Sequence, residues 1–282
     1  MKYVVITGAS SGIGYDAARY LIERGYHVFG SVRKQADADR VQAALGERFT
    51  PLLFDVTDEG GVETAVTQVT QKIGNNGLAG LVNNAGIAVA GPLMHLPMSE
   101  FRRQIEVNLY GQLDVTQKFL PLLGAVPNAP HPPGRIVNIS SVSGKVVYPF
   151  MGPYAASKHA LEAISDALRR ELLIFGIDVI VIGPGSVQTP IWEKAQDLDT
   201  EPYQETPYKG MMEGMKKLFI SQGESGIPVE KVSEVIYEAL TKKRPKTRYA
   251  IARKWFTSWL LPRYLPARLF DTIIAKRLGI TR

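Results

Sequence analysis

The stretch Tyr-Val-Val-Ile-Thr-Gly-Ala-Ser-Ser-Gly-Ile-Gly, residues 3–14, decides the fold. Its first four residues form an apolar run typical of a buried strand, and the chain from Ile13 onward has the spacing of an amphipathic helix. In the loop between them, Gly8 permits a tight turn and Gly12 lets the backbone approach a pyrophosphate, while Gly14 lets helix and strand pack closely. A helix N-terminus offers free N–H groups to phosphate. The stretch therefore predicts a nucleotide site; a tight turn without a ligand is the alternative.

The same alternation of strand and helix patterns continues along the chain. Seven short apolar runs are predicted as strands, at residues 3–6, 26–32, 49–54, 78–82, 135–139, 178–182 and 248–251. Six amphipathic segments are predicted as helices, at residues 13–24, 37–45, 61–73, 101–123, 154–175 and 229–240. Repeated strand–helix–strand units require right-handed crossovers. The sequence therefore predicts an α/β fold: a single-domain, doubly wound parallel sheet of the Rossmann-like type with about seven strands.

Two segments lengthen the connections between these elements. Residues 127–134 contain four prolines and are predicted as a surface loop. Residues 186–228 are too many for a plain strand-to-helix connection and are rich in methionine and aromatic residues. This insert follows the sixth strand, at the sheet edge where open α/β sheets bind ligands, so we predict a lid over a substrate pocket. A helical packing insert is the alternative. We predict that residues 1–252 form the nucleotide-binding domain and that residues 253–282 form a basic amphipathic extension packed on it.

The composition excludes several classes of protein. The chain has 282 residues, 45% of them hydrophobic, and no cysteine, which excludes a disulfide scaffold and a thiol nucleophile. The four histidines lack metal-ligand spacing, so no metal site is predicted. Apolar runs fall far short of the roughly 20 residues of a membrane span, and a cytoplasmic location is expected. The net charge of +6 is concentrated in residues 242–282, which hold twelve Lys and Arg and one acid, so a nucleic-acid-binding surface is not predicted.

The end of the second strand indicates which dinucleotide would bind. A carboxylate at this place usually accepts a hydrogen bond from the ribose 2′-OH of NAD(H). Here Val32 is followed by Arg33 and Lys34, and no acid occurs before Asp37. Because a guanidinium binds a 2′-phosphate through paired charge-assisted hydrogen bonds, NADP(H) is favoured over NAD(H). A solvated basic turn that tolerates either cofactor is the alternative.

Beyond the glycine loop, several motifs follow one another in an order and spacing that resembles the short-chain dehydrogenases/reductases, over roughly residues 1–190. These motifs are Thr7–Gly14, Asp55-Val56, Asn83-Asn84-Ala85-Gly86, Asn108, Ser141, Tyr154-x3-Lys158 and Pro184-Gly185. The glycine spacing and the Tyr-x3-Lys spacing are similar to the compact branch of that family. The resemblance implies an oxidoreductase that transfers hydride between a nicotinamide cofactor and a carbonyl or alcohol carbon.

The catalytic chemistry centres on Tyr154. Reduction of a carbonyl requires a proton for the developing alkoxide. A phenol whose pKa is about 10 donates and accepts protons poorly at neutral pH. Lys158 follows one helical turn later on the same face, and its ammonium is expected to lower the pKa of Tyr154. The resemblance implies that Lys158 also holds the nicotinamide ribose and that Ser141 polarises the substrate carbonyl. It further implies that Asn108 interrupts its helix and holds a water in a proton relay. Taken singly, each residue also has a purely structural explanation.

The resemblance also implies a set of cofactor-binding residues along the carboxyl ends of the strands. Asp55 is expected to accept from the adenine amino group, with Val56 near the ring, and Asn84 to stabilise the sheet. Val187 and Thr189 are expected to meet the nicotinamide carboxamide. The full set is Gly8, Ser10, Ser11, Gly12, Ile13, Gly14, Ser31, Arg33, Asp55, Val56, Asn83, Ala85, Gly86, Tyr154, Lys158, Pro184, Gly185, Val187 and Thr189.

Apolar side chains surround the predicted carbonyl site. The candidates for the substrate pocket are Met94, Val142, Tyr148, Met151, Trp192, Met211 and Met215. Such a lining favours a hydrophobic ketone, aldehyde or alcohol, and methionines favour an adaptable pocket. The basic, aromatic tail from Arg253 is similar to extensions in hydroxysteroid and retinol dehydrogenases. It is predicted either to pack on the body or to rest on a membrane surface.

These observations predict an NADP(H)-dependent oxidoreductase that interconverts a hydrophobic ketone or aldehyde and its alcohol, with a steroid-, retinoid- or lipid-like substrate. A homodimer or homotetramer is expected from the resemblance. Two alternatives stay open at this point: a catalytically idle dinucleotide sensor or scaffold, and a membrane-surface protein that acts through its tail. The sequence names neither the substrate nor the physiological direction of the reaction.

Overall fold

The protein is seen in a computed structural model that describes residues 1–189, 200–253 and 256–278. In these residues seven strands form one parallel sheet in the order β3-β2-β1-β4-β5-β6-β7. The strands are β1 (Lys2–Ile6), β2 (Tyr26–Val32), β3 (Phe49–Leu53), β4 (Gly80–Asn83), β5 (Arg135–Ile139), β6 (Asp178–Pro184) and β7 (Arg248–Ile251). The predicted class, a doubly wound parallel sheet of seven strands, is confirmed.

Helices cover the sheet. They are α1 (Gly12–Ile22), α2 (Gln35–Leu45), α3 (Glu59–Ile73), α4 (Met98–Ile105), α5 (Gly111–Phe119), α6 (Gly152–Glu171), α7 (Lys209–Glu224), α8 (Val229–Thr241), α9 (Leu261–Tyr264) and α10 (Ala267–Leu278). The single helix expected over residues 101–123 is divided: it starts at Met98, and a π-helical segment at Glu106–Tyr110 separates α4 from α5. This confirms that the helix is interrupted at Asn108.

Both faces of the sheet are buried, and the alternation of side chains along the strands divides the core. Val4 and Ile6 of β1 belong to the core shared with α1 and α8, while Val5 belongs to the core shared with α3 and α5. In β5, Val137 and Ile139 belong to the first core and Ile136 belongs to the second. Because both faces of the central strands are covered, those strands read as continuous apolar runs.

The site is positioned by a reversal of strand order. β1 pairs with β2 on one side and with β4 on the other, so the crossovers leave β1 in opposite directions. A crevice opens at such a switch point beyond the carboxyl ends of the strands. The glycine loop after β1 and residues 84–86 after β4 meet there.

The segment after β6 leaves the sheet and later returns to the point at which it left. Val187 forms an isolated parallel bridge with Ile227; the N–H of Gln188 donates to Ile227 O at 2.9 Å, and the N–H of Ile227 donates to Ser186 O at 2.9 Å. The described part of this insert, from residue 200, contains α7. The insert is therefore an excursion whose two ends are hydrogen-bonded at its base.

The C-terminal segment lies beside this insert. Helix α10 packs on α7, and the ring of Phe270 contacts the ring of Tyr148 with a centroid separation of 6.2 Å. Tyr148 follows β5, so α10 lies on the carboxyl-end side of the sheet. Among the described residues, no helix is long and apolar enough to cross a membrane.

A buried histidine makes the stability of the fold dependent on pH. His27 of β2 lies between the rings of Tyr3 and Phe29, and its Nε2 is 2.8 Å from Thr50 Oγ1 of β3. Burial, with Lys72 as a second cause, lowers the pKa of His27 below its ordinary 6.5. The unfolded chain therefore binds a proton more readily than the folded chain does. This contribution to stability is present above about pH 6.5 and is lost as the pH falls through the folded-state pKa.

We expect His27→Gln to weaken the acid dependence of the unfolding midpoint. Glutamine keeps a hydrogen-bonding group near Thr50 but takes up no proton, so its midpoint should fall less than that of the wild type between about pH 7.5 and pH 5.5. Thermal unfolding followed by circular dichroism measures this, with the exposed His95→Gln as control. Equal acid dependence in wild type and His27→Gln would contradict the assignment.

Candidate active site

The glycine loop is built for close approach to a ligand. Gly12 opens α1 with φ +57°, a conformation that L side chains rarely adopt. A Cβ at Gly14 would overlap the carbonyl oxygen of Gly8. Ser11 stands at the N-cap of α1 and makes no side-chain cap, so no serine hydroxyl covers the N–H groups of the first turn. This cradle suits the pyrophosphate of a dinucleotide.

Hydrogen bonds join the loop after β1 to the loop after β4. Thr7 Oγ1 accepts from the N–H of Asn84 at 2.9 Å and from the N–H of Ala85 at 3.0 Å. In return, Nδ2 of Asn84 donates to the carbonyls of Thr7, at 2.9 Å, and Gly8, at 3.1 Å. The expectation that Asn84 stabilises the sheet is confirmed. The glycine loop is also tied to β2, because the N–H of Gly8 donates to Ser31 Oγ at 2.9 Å.

Asn83 differs from the expectation that it lines the cofactor. Its side chain is 1% exposed, and Nδ2 donates to Thr116 Oγ1 at 2.8 Å and to Asn138 Oδ1 at 2.9 Å. The side-chain amide is therefore hydrogen-bonded in the interior, between β4, β5 and α5. Only the backbone of Asn83 is left to face the crevice.

Two arginines stand near the adenosine end of the crevice. Arg33 follows β2, is two-thirds exposed, and places Nη1 3.7 Å from Asp55 Oδ2. Arg40 of α2, which sequence reasoning missed, donates to the carbonyl of Ser10 at 2.8 Å and to Asp37 Oδ1 at 2.7 Å. Its place in the second turn of α2, the helix that follows Arg33 and Lys34, was the available signal.

The predicted catalytic side chains come together beyond β5. The side chains of Tyr154 and Ser141 lie close enough to interact, and Ser141 Oγ accepts from the N–H of Ser143 at 3.1 Å. Lys158 is 4% exposed and donates from Nζ to the carbonyl of Ile139 at 2.8 Å. Its Nζ lies 5.8 Å from the centre of the Tyr154 ring. Helix α6 supplies Tyr154 and Lys158, and the end of β5 supplies Ser141 and the carbonyl that fixes the lysine.

The protonation equilibria differ from the expectation for Tyr154. Burial raises the pKa of the phenol, and the nearby hydroxyl of Ser141 acts in the opposite direction. Burial lowers the pKa of Lys158 to about 8, with Glu162 opposing that change. The expected lowering of the pKa of Tyr154 by Lys158 is wrong for this arrangement, because the ammonium is directed at the Ile139 carbonyl. Tyr154 is therefore held as a neutral phenol, able to donate a proton.

Asn108 is fully buried in the π-helical segment and is bonded on both sides. Its Oδ1 accepts from the N–H of Ile87 at 2.8 Å, and its Nδ2 donates to Ile87 O at 3.0 Å and to Ser157 Oγ at 3.2 Å. Ser157 Oγ in turn donates to the backbone carbonyl of Tyr154 at 2.7 Å. Asn108 thus connects the loop after β4 to the helical turn that carries the tyrosine.

Sequence reasoning missed the amide side chains on either side of Asn108. Gln104 binds both Val89 N and Ile87 O, and Gln112 donates to Ala85 O at 2.7 Å. The spacing of four residues between Gln104, Asn108 and Gln112 places all three on one helix face and could have revealed them. Together they hold residues 85–89 against the helices.

Phe150 shows backbone strain near the catalytic tyrosine. Its φ is +66°, unusual for a bulky residue, and its carbonyl accepts from the N–H of Gly91 at 2.8 Å. Its ring packs on that of Tyr208, 5.8 Å away. The insert therefore holds the turn that leads into α6.

The predicted substrate residues lie in different surroundings. Met94 is 78% exposed, whereas Met215 is buried with Met212, Phe150 and Tyr203 in a small separate core that Met211 also contacts. Met215 therefore packs within the insert, which was the alternative to a place in the substrate pocket. Val142 and Met151 are half-buried beside Ser141 and Tyr154 in the chain, and Tyr148 contacts α10. Trp192 lies outside the described residues.

The start of the insert faces the glycine loop. A Cβ at Gly12 would be 3.4 Å from the Cβ of Thr189. Val187 is buried and belongs to the bridge with Ile227. Thr189 is therefore the member of this pair that borders the crevice, on the side of the phosphates.

The fold and the site define a dinucleotide-dependent dehydrogenase, and comparison with known proteins agrees. Residues 2–199 match the family model for short chain dehydrogenase, so the chain belongs to the short-chain dehydrogenase/reductase family. It is 42% identical to an NADPH-dependent 3-dehydrocapnine reductase of Ornithobacterium rhinotracheale, covering 99% of this chain and 98% of the relative. It is 34% identical to retinol dehydrogenase 7 of Rattus norvegicus, covering 97% and 87%.

A solved structure agrees as well. An actinorhodin polyketide ketoreductase variant with NADPH superimposes with a TM-score of 0.73 at 27% identity, covering 89% of this chain and 94% of that one. The protein is therefore an oxidoreductase of the short-chain family, acting between an alcohol carbon and a carbonyl carbon.

Proposed function

We propose that this enzyme is an NADP(H)-dependent reductase of a lipophilic ketone or aldehyde, with Tyr154 as its acid. One observation carries the proposal: Ser141, Tyr154 and the buried Lys158 come together beyond the carboxyl end of β5, with Lys158 Nζ 5.8 Å from the centre of the Tyr154 ring. When bound, the nicotinamide supplies the hydride. The residues of this chain supply the proton and the position of the carbonyl.

Each side chain has a role that its contacts support. Ser141 orients the substrate carbonyl oxygen beside the phenol of Tyr154, and the raised pKa of that phenol keeps it protonated until charge develops on the oxygen. Lys158, held by the carbonyl of Ile139 with Nζ 5.8 Å from the centre of the Tyr154 ring, would hold the nicotinamide ribose. Asn108 fixes the turn of α6 through Ser157. A water held beside Asn108 would return the proton from solvent.

The cofactor is NADP(H) in preference to NAD(H). The exposed guanidinium of Arg33 lies where the 2′-phosphate of the adenosine would sit, and Arg40 adds a second guanidinium at the glycine loop. The relative from Ornithobacterium rhinotracheale is NADPH-dependent by name, and the superimposed ketoreductase carries NADPH. Asp55 would remain available to the adenine, because its contact with Arg33 is loose at 3.7 Å.

The substrate is proposed to be large and apolar. The rim beyond Tyr154 exposes Leu93, Met94 and Val147, at 63%, 78% and 50%. Soluble proteins keep such surface small unless it binds something. The two relatives named above act on 3-dehydrocapnine and on retinol, according to their names. Of these two compounds, 3-dehydrocapnine is the leading candidate, since the relative named for it is the more similar.

The C-terminal segment is proposed to touch a membrane surface peripherally. Phe256, Tyr264 and Ile273 are 59%, 74% and 44% exposed, and Arg263 and Arg268 lie among them. Exposed aromatic and aliphatic side chains interleaved with cations are typical of segments that lie in the headgroup region. Because α10 borders the substrate side, such contact would bring the pocket to a lipophilic substrate.

We expect Tyr154→Phe to lower kcat by about 10²–10⁴-fold for every substrate turned over, because the proton donor is gone while the ring remains. The assay follows NADPH oxidation with 3-dehydrocapnine, retinal, a steroid ketone and a small water-soluble ketone. The lipophilic compounds should show the higher kcat/KM. Tyr264→Phe, at an exposed position, is the matched control. Full activity of Tyr154→Phe would refute the mechanism, and a preference for the small ketone would refute the substrate class.

We expect Arg33→Gln to raise KM for NADPH by about tenfold or more and to leave KM for NADH unchanged, since only NADPH offers a 2′-phosphate to a guanidinium. Arg40→Gln should act in the same direction, and the double variant should favour NADPH least. Lys34→Gln, the neighbouring exposed cation, is the control. Initial rates with both cofactors give the ratio; an unchanged ratio in the double variant would rule out the two arginines.

We expect the purified protein to sediment with anionic phosphatidylglycerol vesicles and not with phosphatidylcholine vesicles, and salt should weaken this binding. The double variant Arg263→Glu and Arg268→Glu should lower the partition coefficient by at least about tenfold. Lys243→Glu, an exposed cation outside the segment, is the control. Equal binding of wild type and the double variant would show that the tail does not mediate the contact.

A further inference from the structure

Glu162 is a buried carboxylate beside the catalytic lysine that the proposed reaction does not use. It follows Lys158 by four residues on α6, so the two side chains share one helix face. Its side chain is 2% exposed. A carboxylate without water around it is retained only where cations compensate it, because desolvation costs several kcal/mol per ion.

Two cations from other elements meet the same oxygen of Glu162. Lys145 places Nζ 3.3 Å from Oε2, and Arg248 pairs with Oε2 through Nη2. Lys145 ends the short 3-10 turn Val142–Gly144, whose N-cap is Ser141. Arg248 is the first residue of β7. One carboxylate therefore connects three elements: the turn that follows Ser141, helix α6 and the edge strand β7.

The turn that contains Gly144 packs closely on Glu162. A Cβ at Gly144 would lie 3.0 Å from Cγ of Glu162 and 2.8 Å from Oγ of Ser140. The turn that follows Ser141 thus rests directly on the glutamate stem. Movement of the Glu162 side chain would displace the turn, and with it the hydroxyl that orients the substrate.

We propose that Glu162 is a positioning residue, whose carboxylate anchors the Ser141 turn through Lys145 and supplies the negative charge that keeps the ammonium of Lys158 protonated. This inference rests on the proposed roles of Ser141, Tyr154 and Lys158.

The charges that face Lys158 set the sign of the effect. From α6 itself it faces the phenol of Tyr154 and the carboxylate of Glu162; from β5 it meets only a backbone carbonyl. Lys145 and Arg248 face Glu162 from the turn and from β7 and partly neutralise it. Burial lowers the pKa of Lys158 to about 8, and Glu162 is the group that opposes this. Loss of Glu162 should therefore lower that pKa further, and loss of Arg248 should raise it.

The test uses substitutions with opposite expected signs. Glu162→Gln keeps the shape and removes the charge, and Arg248→Met removes one competing cation. The pKa of Lys158 is read in the free protein from its ¹³Cε resonance, assigned with Lys158→Arg. It should fall by about 0.5–1 pH unit in Glu162→Gln and rise in Arg248→Met. The basic limb of the kcat–pH profile should move in the same directions. Glu171→Gln, at an exposed position on the same helix, is the control.

The outcomes separate this inference from the proposed function. An unchanged Lys158 resonance in Glu162→Gln, or shifts of the same sign in both variants, would overturn the electrostatic role, because lost packing alone has no reason to reverse its sign. If Glu162→Gln does not fold, the direction of the Arg248→Met shift decides. Full activity of Tyr154→Phe would refute the proposed function while leaving the resonance measurement interpretable.

Discussion

The hydroxyl of Thr7 is the point on which the crevice depends. It accepts two backbone N–H groups from the loop after β4, and Asn84 returns two hydrogen bonds to the loop after β1. Two parallel strands whose crossovers diverge would otherwise leave these loops without a partner at the switch point. With the loops joined, the glycine turn stands at a fixed distance from residues 85–89, which the amides of α4 and α5 hold from the other side.

Helix α6 is the second element on which the site depends, because it carries several side chains of the site within two turns. Tyr154 is the proposed acid, the ammonium of Lys158 is bonded to the strand end, and Ser157 connects the same turn to Asn108. Burial raises the pKa of the phenol above its ordinary 10 and lowers the pKa of the ammonium to about 8, so the two pKa values move apart. The phenol therefore keeps its proton at a pH at which the ammonium loses its own.

Local sequence patterns predicted most of the fold. The features that they did not predict depend on contacts between residues far apart in the chain. The strand runs and the glycine loop follow from neighbours in sequence, and the structure has them within a few residues. The interruption at Asn108 was implied by the family resemblance, whereas the local pattern predicted one continuous helix. The inward turn of Asn83 depends on Asn138, and the burial of Glu162 depends on Arg248, both far away in the chain. The direction of the Lys158 ammonium depends on a backbone carbonyl, which leaves no trace in the sequence. Oligomeric state stays a prediction.

The bridge between Val187 and Ile227 has a consequence for how this enzyme diverges from its relatives. The bridge closes the base of the excursion, and the pairing of β6 with β7 continues beside it. Changes of length or composition within the excursion therefore do not require a change in the sheet. Insertions and substitutions in this segment are thus expected to leave the fold of the body unchanged.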